Sequence, residues 1–207
     1  MAFYPLYVDL EGGKCVVVGG GEVAERKVAS LLECGADVQV ISPDSTPGLE
    51  ELAREGRLSI TRRGYRRGDL DKATLAIVAT DDNEVNTEAY REATDNRIPV
   101  NVVDVPELCS FIVPSTIRRG DLVISISTSG SCPALAKHIR EELEETYRDE
   151  YGDFCDILRD FRARVMDKYD DPKERKRALG RLIESDAIDL IRARDDLELE
   201  ERVRSCM

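Results

Sequence analysis

The sequence predicts an α/β protein: a parallel, doubly wound sheet in its first half, a short strand-bearing segment, and a helical C-terminal part. Three observations predict it. Short apolar runs alternate with stretches of helical period from Lys14 to Val103. A glycine-rich turn, Gly19-Gly20-Gly21, joins the first apolar run to the first helical stretch. From about Asp149 the chain is highly charged, helical in pattern and almost free of glycine.

Each element follows from local chemistry. Lys14–Val18 reads as a buried strand, and Glu22–Cys34 as a helix ended by Gly35. Asp37–Ser42 is a second strand, stopped by Pro43. Gly48–Gly56 is a short helix and Leu58–Tyr65 an alternating third strand. Leu75–Ala79 is again a buried strand, Asn83–Asn96 a helix and Pro99–Val103 a fifth strand. Strand–helix–strand repetition with near-continuous apolar strands calls for a parallel sheet covered on both faces. Phe111–Val113 and Leu122–Thr128 then read as strands with no crossover helix between them, followed by a helix over Pro133–Arg148. The tail, Asp149–Met207, reads as helical with a turn near Asp170–Pro172.

Composition removes several classes. A net charge of −12 disfavours non-specific binding to nucleic acid or anionic membrane, where like charges would meet. No charge-free apolar run approaches the ~20 residues of a membrane span. The segment MAFYPLYVDLEGGK lacks the basic region and apolar length of a signal peptide, so a cytoplasmic protein is expected. The cysteines at 15, 34, 109, 132, 155 and 206 form no CxxC pair and no cluster with His138; no metal site is expected, and they read as small buried residues.

The segment CVVVGGGEVAERK fits G-x-G-x-x-[GA] through Gly19, Gly21 and Ala24, between a strand and a helix. Gly19 permits the tight turn, Gly21 lets backbone approach a pyrophosphate, and Ala24 lets helix and sheet pack closely. The helix N-terminus then offers free N–H groups and a positive dipole end to phosphate. This is the fingerprint of a Rossmann-type, NAD-binding domain. The second strand ends at Ser42-Pro43, and Asp44 is the first carboxylate able to reach the ribose. A carboxylate there repels a 2′-phosphate, which favours NAD over NADP; the neighbouring Arg62-Arg63 pair argues the other way.

The fourth and fifth strands end in Ala79-Thr80-Asp81-Asp82 and Asn101-Val102-Val103-Asp104, where ligands of open α/β sheets bind. Thr80 and Asp104 are therefore candidate site residues. Asp81 and Asp82 are equally placed to cap the next helix, and Asp104 to cap the turn Val105-Pro106-Glu107.

The series FYPLYVDL, VVVGGGEVAERK, IVATDD-x-x-VN, NVVDVPELCSFIVPS and SISTSGSCPALAKHIREELE resembles the sirohaem-synthase N-terminal family from about Phe3 to Glu144, and the tail resembles it in character. The resemblance implies NAD-dependent oxidation of precorrin-2 to sirohydrochlorin; some members also insert ferrous iron. It implies a Rossmann domain over about 1–113, a dimerisation segment over about 114–148 and a helical domain over about 149–207, in a homodimer. It places the catalytic residue at Asp104 and nucleotide contacts at Glu22, Val23, Pro43 and Asp44. Where relatives carry Ser-Ser-Gly-Gly, this chain has Ser127-Thr128-Ser129-Gly130, so Thr128 keeps the hydroxyl at the edge of the expected tetrapyrrole pocket. The methyltransferase domain of fused members is not expected.

Precorrin-2 carries eight carboxylates, a puzzle for so acidic a chain. Arg118, Arg119, Lys137, His138 and Arg140 are the candidate carboxylate clamps, each also readable as an ordinary surface charge. Two other readings stay open: a different NAD oxidoreductase, and a non-catalytic nucleotide-sensing Rossmann domain, which leaves the NVVD and SxSG segments unexplained.

Overall fold

A computed structural model describes residues 3–207. The chain divides into two compact units, Met1–Val113 and Pro114–Met207.

The first unit runs β1 (Lys14–Val18), α1 (Glu22–Leu32), β2 (Asp37–Ile41), α2 (Pro47–Arg54), β3 (Leu58–Thr61), β4 (Leu75–Val78), α3 (Asn83–Asp95) and β5 (Val100–Val102), then a 3-10 turn at Pro106–Leu108. The sheet order is β3-β2-β1-β4-β5, every pair parallel. Successive side chains of a strand point to opposite faces. Cys15 and Val17 accordingly join Ala24, Val28 and Leu31 of α1 and Leu49 of α2 in one core. Val16 and Val18 join Ala89 and Ala93 of α3 in the other. Both faces being dry explains why β1 reads as an unbroken apolar run. The chain builds β1, β2 and β3 outward in one direction, then returns to place β4 on the other side of β1. Connections at the carboxyl ends of β1 and β4 thus diverge, which opens a crevice between them.

The second unit begins with an antiparallel hairpin, β6 (Ser115–Arg119) and β7 (Leu122–Ile126), followed by α4 (Pro133–Thr146) and four further helices. These are α5 (Glu150–Lys168), α6 (Pro172–Ile183), α7 (Ala187–Ala193) and α8 (Asp196–Ser205). Phe154, Phe161, Val165, Ala178, Leu182, Ala187 and Cys206 form its buried core.

Two expectations are corrected. Phe111–Val113 is not a strand; the strand lies beyond Pro114, at Ser115–Arg119. The Phe111 carbonyl accepts from Asn101 Nδ2 at 3.0 Å and its ring packs on the α1 side of the sheet, so that segment is tied down without a ladder. Ser115–Arg119 escaped notice because only Ile117 of its five residues is buried. The tail also breaks at Glu184–Asp186 and Arg194–Asp195, not only near Asp170–Pro172. Asp171 and Asp195 cap α6 and α8 through the Lys173 and Glu198 N–H groups. Among so many carboxylates a capping aspartate does not stand out in the sequence.

Candidate active site

The turn after β1 is tight for reasons that differ at each glycine. Gly19 has φ +116°, and a Cβ there would collide with the Ala79 carbonyl oxygen at the end of β4. The β1 and β4 loops therefore touch at the crevice. Gly20 was not singled out by the G-x-G-x-x-[GA] reading, yet its Cβ would collide with the Asp44 carbonyl oxygen. The Gly20 carbonyl accepts from Thr46 N at 3.0 Å, so this glycine clasps the loop that carries Pro43 and Asp44. Gly21 is the opposite case. Its backbone is extended, at φ −81°, and a Cβ would meet nothing within 4 Å. Neither conformation nor internal packing requires glycine there, and the space in front of it is open to the approach of a ligand. Gly21 is the N-cap of α1, and no side chain caps that helix. The N–H groups of Glu22, Val23 and Ala24 form its first turn, with Glu22 exposed and Ala24 buried. This arrangement fits a dinucleotide pyrophosphate. Pro43 and Asp44 are exposed beside it.

Thr80, at the end of β4, is held rather than free. Its hydroxyl donates to Asn86 Oδ1 at 3.0 Å and accepts from Asp82 N at 3.1 Å, while its carbonyl accepts from Asn86 Nδ2 at 3.1 Å. Asn86 is buried on α3. Asp82 is the N-cap of α3, accepting from the Glu84 and Val85 N–H groups, which is the structural alternative the sequence offered for it.

Asp104 stands at the tip of a self-tied loop. The Val102 carbonyl accepts from Val105 N at 3.3 Å, closing a turn in which Asp104 takes φ +60°. That left-handed conformation is uncommon outside glycine and is best tolerated by Asn and Asp. The loop is fixed from behind. Asn101 Nδ2 donates to the Phe111 carbonyl, the Cys109 thiol donates to the Val102 carbonyl at 3.2 Å, and Ser110 Oγ accepts from Val100 N at 2.8 Å. The Asn, Cys and Ser of NVVDVPELCS are thus its fastening, and the aspartate it presents is exposed. Among the described residues its carboxylate makes no hydrogen bond to the following turn, so the turn-cap reading has no bond behind it.

Lys27 is a residue the sequence reading passed over. It lies half-buried on α1, three positions after Ala24 and one before Val28, both core residues. Burial pushes its ammonium below the usual lysine value, Arg26 pushes the same way, and Asp104 pulls it back up. Arg62 and Arg63 are both engaged: Arg62 pairs with Glu50 at 2.6 Å, and Arg63 grips Asp69 with two bonds of 2.7 and 2.8 Å.

In the second unit the candidate clamps fall on β6 and α4. Arg118 and Arg119 end β6, and Arg119 pairs with Asp149 at 3.2 Å. On α4, Lys137 pairs with Glu141 at 3.6 Å, His138 with Glu142 at 3.4 Å, and Arg140 with Glu144. Thr128 Oγ1 accepts from Cys132 N at 3.0 Å and so closes the loop before α4. Among the described residues no group of three or more His, Cys, Asp or Glu side chains is placed to hold a metal ion, and no helix is long and apolar enough to cross a membrane.

A parallel sheet with a glycine-tight, uncapped helix start at its switch point defines a nucleotide-binding protein of the Rossmann class. Comparison with known proteins narrows this. The NAD(P)-binding family matches residues 6–115, the sirohaem biosynthesis protein central family residues 119–146, and the sirohaem synthase dimerisation region residues 150–206. The chain belongs to the sirohaem-synthase N-terminal family. The siroheme synthase of Methylobacillus flagellatus is 41% identical over 176 residues, covering 85% of this chain and 38% of that protein. That of Nitrosospira multiformis is 39% identical over 200 residues, 95% of this chain and 42% of that protein. The chain therefore spans about two fifths of the length of these relatives. Among solved structures, SirC, a precorrin-2 dehydrogenase, superposes with a TM-score of 0.79 at 26% identity, covering 98% of this chain and all of that one.

Proposed function

We propose that this chain oxidises precorrin-2 to sirohydrochlorin with NAD. The observation that carries the reading is the placement of Asp104. A carboxylate stands exposed on a left-handed turn, two strands along the sheet edge from a helix start built for pyrophosphate. The end-to-end likeness to a precorrin-2 dehydrogenase supports the choice of substrate.

The reaction removes one hydride and one proton from the macrocycle. NAD, when bound, supplies the hydride acceptor. The first-turn N–H groups of α1 hold its pyrophosphate, with Gly21 leaving room and Gly20 fixing the Asp44 loop. Asp104 accepts the proton, or orients the pyrrole N–H groups, from a loop whose tethers keep the carboxylate in place. We favour NAD over NADP because Arg62 and Arg63 are both engaged by carboxylates, and we assign the exposed Asp44, on the loop that Gly20 clasps, to the ribose. Arg118, Arg119, Thr128, Lys137, His138 and Arg140 are our candidates for holding substrate. Exposed ion pairs such as Lys137–Glu141 are worth about 0–1 kcal/mol, so exchanging one carboxylate for another costs little. That reconciles an acidic chain with an octa-anionic ligand. We further propose a homodimer and the three-part division at 113 and 148.

Anaerobic incubation with precorrin-2 and NAD, followed by sirohydrochlorin absorbance, tests the reading. Asp104→Ala should keep NAD binding and lose oxidation. Asp104→Asn separates proton transfer from positioning, because the amide keeps size but accepts no proton. Oxidation at the wild-type rate in both variants would refute the assignment. Adding ferrous ion to supplied sirohydrochlorin asks whether the same chain inserts iron.

A further inference from the structure

We propose that Glu50 sets the choice between the two nicotinamide cofactors: its carboxylate occupies the donors that a ribose 2′-phosphate would otherwise take. The inference deepens the preference for NAD stated above and rests on it. In dinucleotide sites of this class, that choice is made at the carboxyl end of the second strand, where the adenosine ribose binds. Three segments meet there in this chain. Ile41 pairs with Thr61 at the ends of β2 and β3, and Ser42 N donates to the Thr61 carbonyl at 3.2 Å. Arg62 therefore leaves β3 beside the 42–46 loop. That loop lies on the phosphate turn, because a Cβ on Gly20 would strike the Asp44 carbonyl oxygen, and the Gly20 carbonyl accepts from Thr46 N. Ser45 sits between those two contacts. Its hydroxyl donates to Glu50 Oε1 of α2, and Arg62 Nη2 donates to Glu50 Oε2 at 2.6 Å.

A hydroxyl and a guanidinium are donors that a phosphate monoester recruits. Here both are bound to the protein's own anion. The two bonds hold the Glu50 carboxyl below its ordinary value, so it is ionised at neutral pH. Arg63 is no substitute donor, since both its terminal nitrogens are bound to Asp69. The Arg62–Glu50 pair is partly exposed and by itself is weak. What excludes the phosphate is that the carboxylate does not leave. Glu50 lies in the first turn of α2, whose start is fixed by Thr46 Oγ1 accepting from Leu49 N. A 2′-phosphate would bring a second anion to the same hydroxyl and guanidinium, whereas a ribose 2′-hydroxyl carries no charge to repel. The plain alternative is that Glu50 only ties the loop to β3. Cutting such a tie would weaken NAD and NADP alike; removing a selectivity device changes their ratio.

The test titrates NAD and NADP calorimetrically into the cofactor-free full chain and three variants: Glu50→Gln, Glu50→Ala and the Glu50→Gln/Arg62→Ala double. Melting temperatures are taken alongside. Wild type should bind NAD more tightly than NADP. Glu50→Gln keeps the size and removes the charge, and should lower the ratio of the NADP to the NAD dissociation constant about 10-fold or more. Glu50→Ala should move the ratio the same way, whatever the loss of the loop tie does to melting temperature. In the double variant most of the gain should vanish, because Arg62 is the donor that Glu50 releases. An unchanged ratio in both single variants, including a parallel loss of both affinities, would overturn the inference. So would a gain that survives the removal of Arg62. Both results leave the preference of wild type for NAD intact. A wild type that prefers NADP would instead remove the reading on which the inference rests.

Discussion

Neighbouring glycines in this chain do different work. Gly19 and Gly20 are required by the protein itself, since a Cβ at either would strike a carbonyl oxygen of an adjoining loop. At Gly21 a Cβ would meet nothing within 4 Å, so neither backbone nor packing calls for glycine there; we assign that requirement to the bound pyrophosphate. Gly21→Asp should therefore fold and melt like wild type yet lose NAD binding, because a carboxylate would stand where the pyrophosphate must come. Calorimetric titration with NAD checks it; retained affinity would mean that phosphate sits elsewhere. His138, the one imidazole in the sequence, tempts as an acid–base catalyst, but it lies exposed on α4 beside Glu142. His138→Ala should leave kcat within a few-fold of wild type; a loss of roughly 100-fold or more, as removal of an acid–base group gives, would make it catalytic.

At the scale of elements, the loop between β3 and β4 hangs on one buried carboxylate. Glu92 of α3 accepts from the Tyr65 hydroxyl, Gly68 N at 2.8 Å and Leu70 N at 2.9 Å. Burial and this carboxylate push the Tyr65 phenol well above its ordinary range. Glu92→Ala would leave three donors without an acceptor, two of them on buried residues. At about 1–3 kcal/mol each, the variant should lose on the order of 3–5 kcal/mol of stability, read as a lowered urea midpoint. An unchanged midpoint would show that water replaces the carboxylate. Asp69 is held below the usual carboxylate range by the Arg63 hydrogen bonds. Its contribution to this loop is full above the unfolded pKa and is lost as pH falls through the lowered folded one.

For the whole molecule the open question is association. The hairpin β6–β7 has one fully buried residue, Ile117, and the apolar Leu122, Val123, Ile124 and Ile126 are only half-buried in a single chain. We place the dimer contact in 114–148 on that ground. The family described as a dimerisation region matches 150–206 instead. Sedimentation at micromolar concentration should give a dimer. Cross-link mapping between copies then decides between the segments: links confined to 150–206 would move the interface, and a monomer would remove the proposal.

Much of this protein could be read from the chain alone, because the information is local. Apolar runs such as Lys14–Val18 announce buried strands, and glycines with a nearby small residue announce a strand–turn–helix that can take a phosphate. NVVD and the motifs around it pointed to Asp104 and to the family by resemblance. What the sequence could not supply depends on residues far apart along it. Gly20 matters because Asp44 folds back over it, and Glu92 because three donors from another loop converge on it. Ser115–Arg119 hid as a strand because its partner strand and half-open face, not its own composition, make it one. Helical and strand periods are written in neighbouring residues; the burial of a charge, the crowding of a glycine and the company of a carboxylate are decided only when distant segments meet.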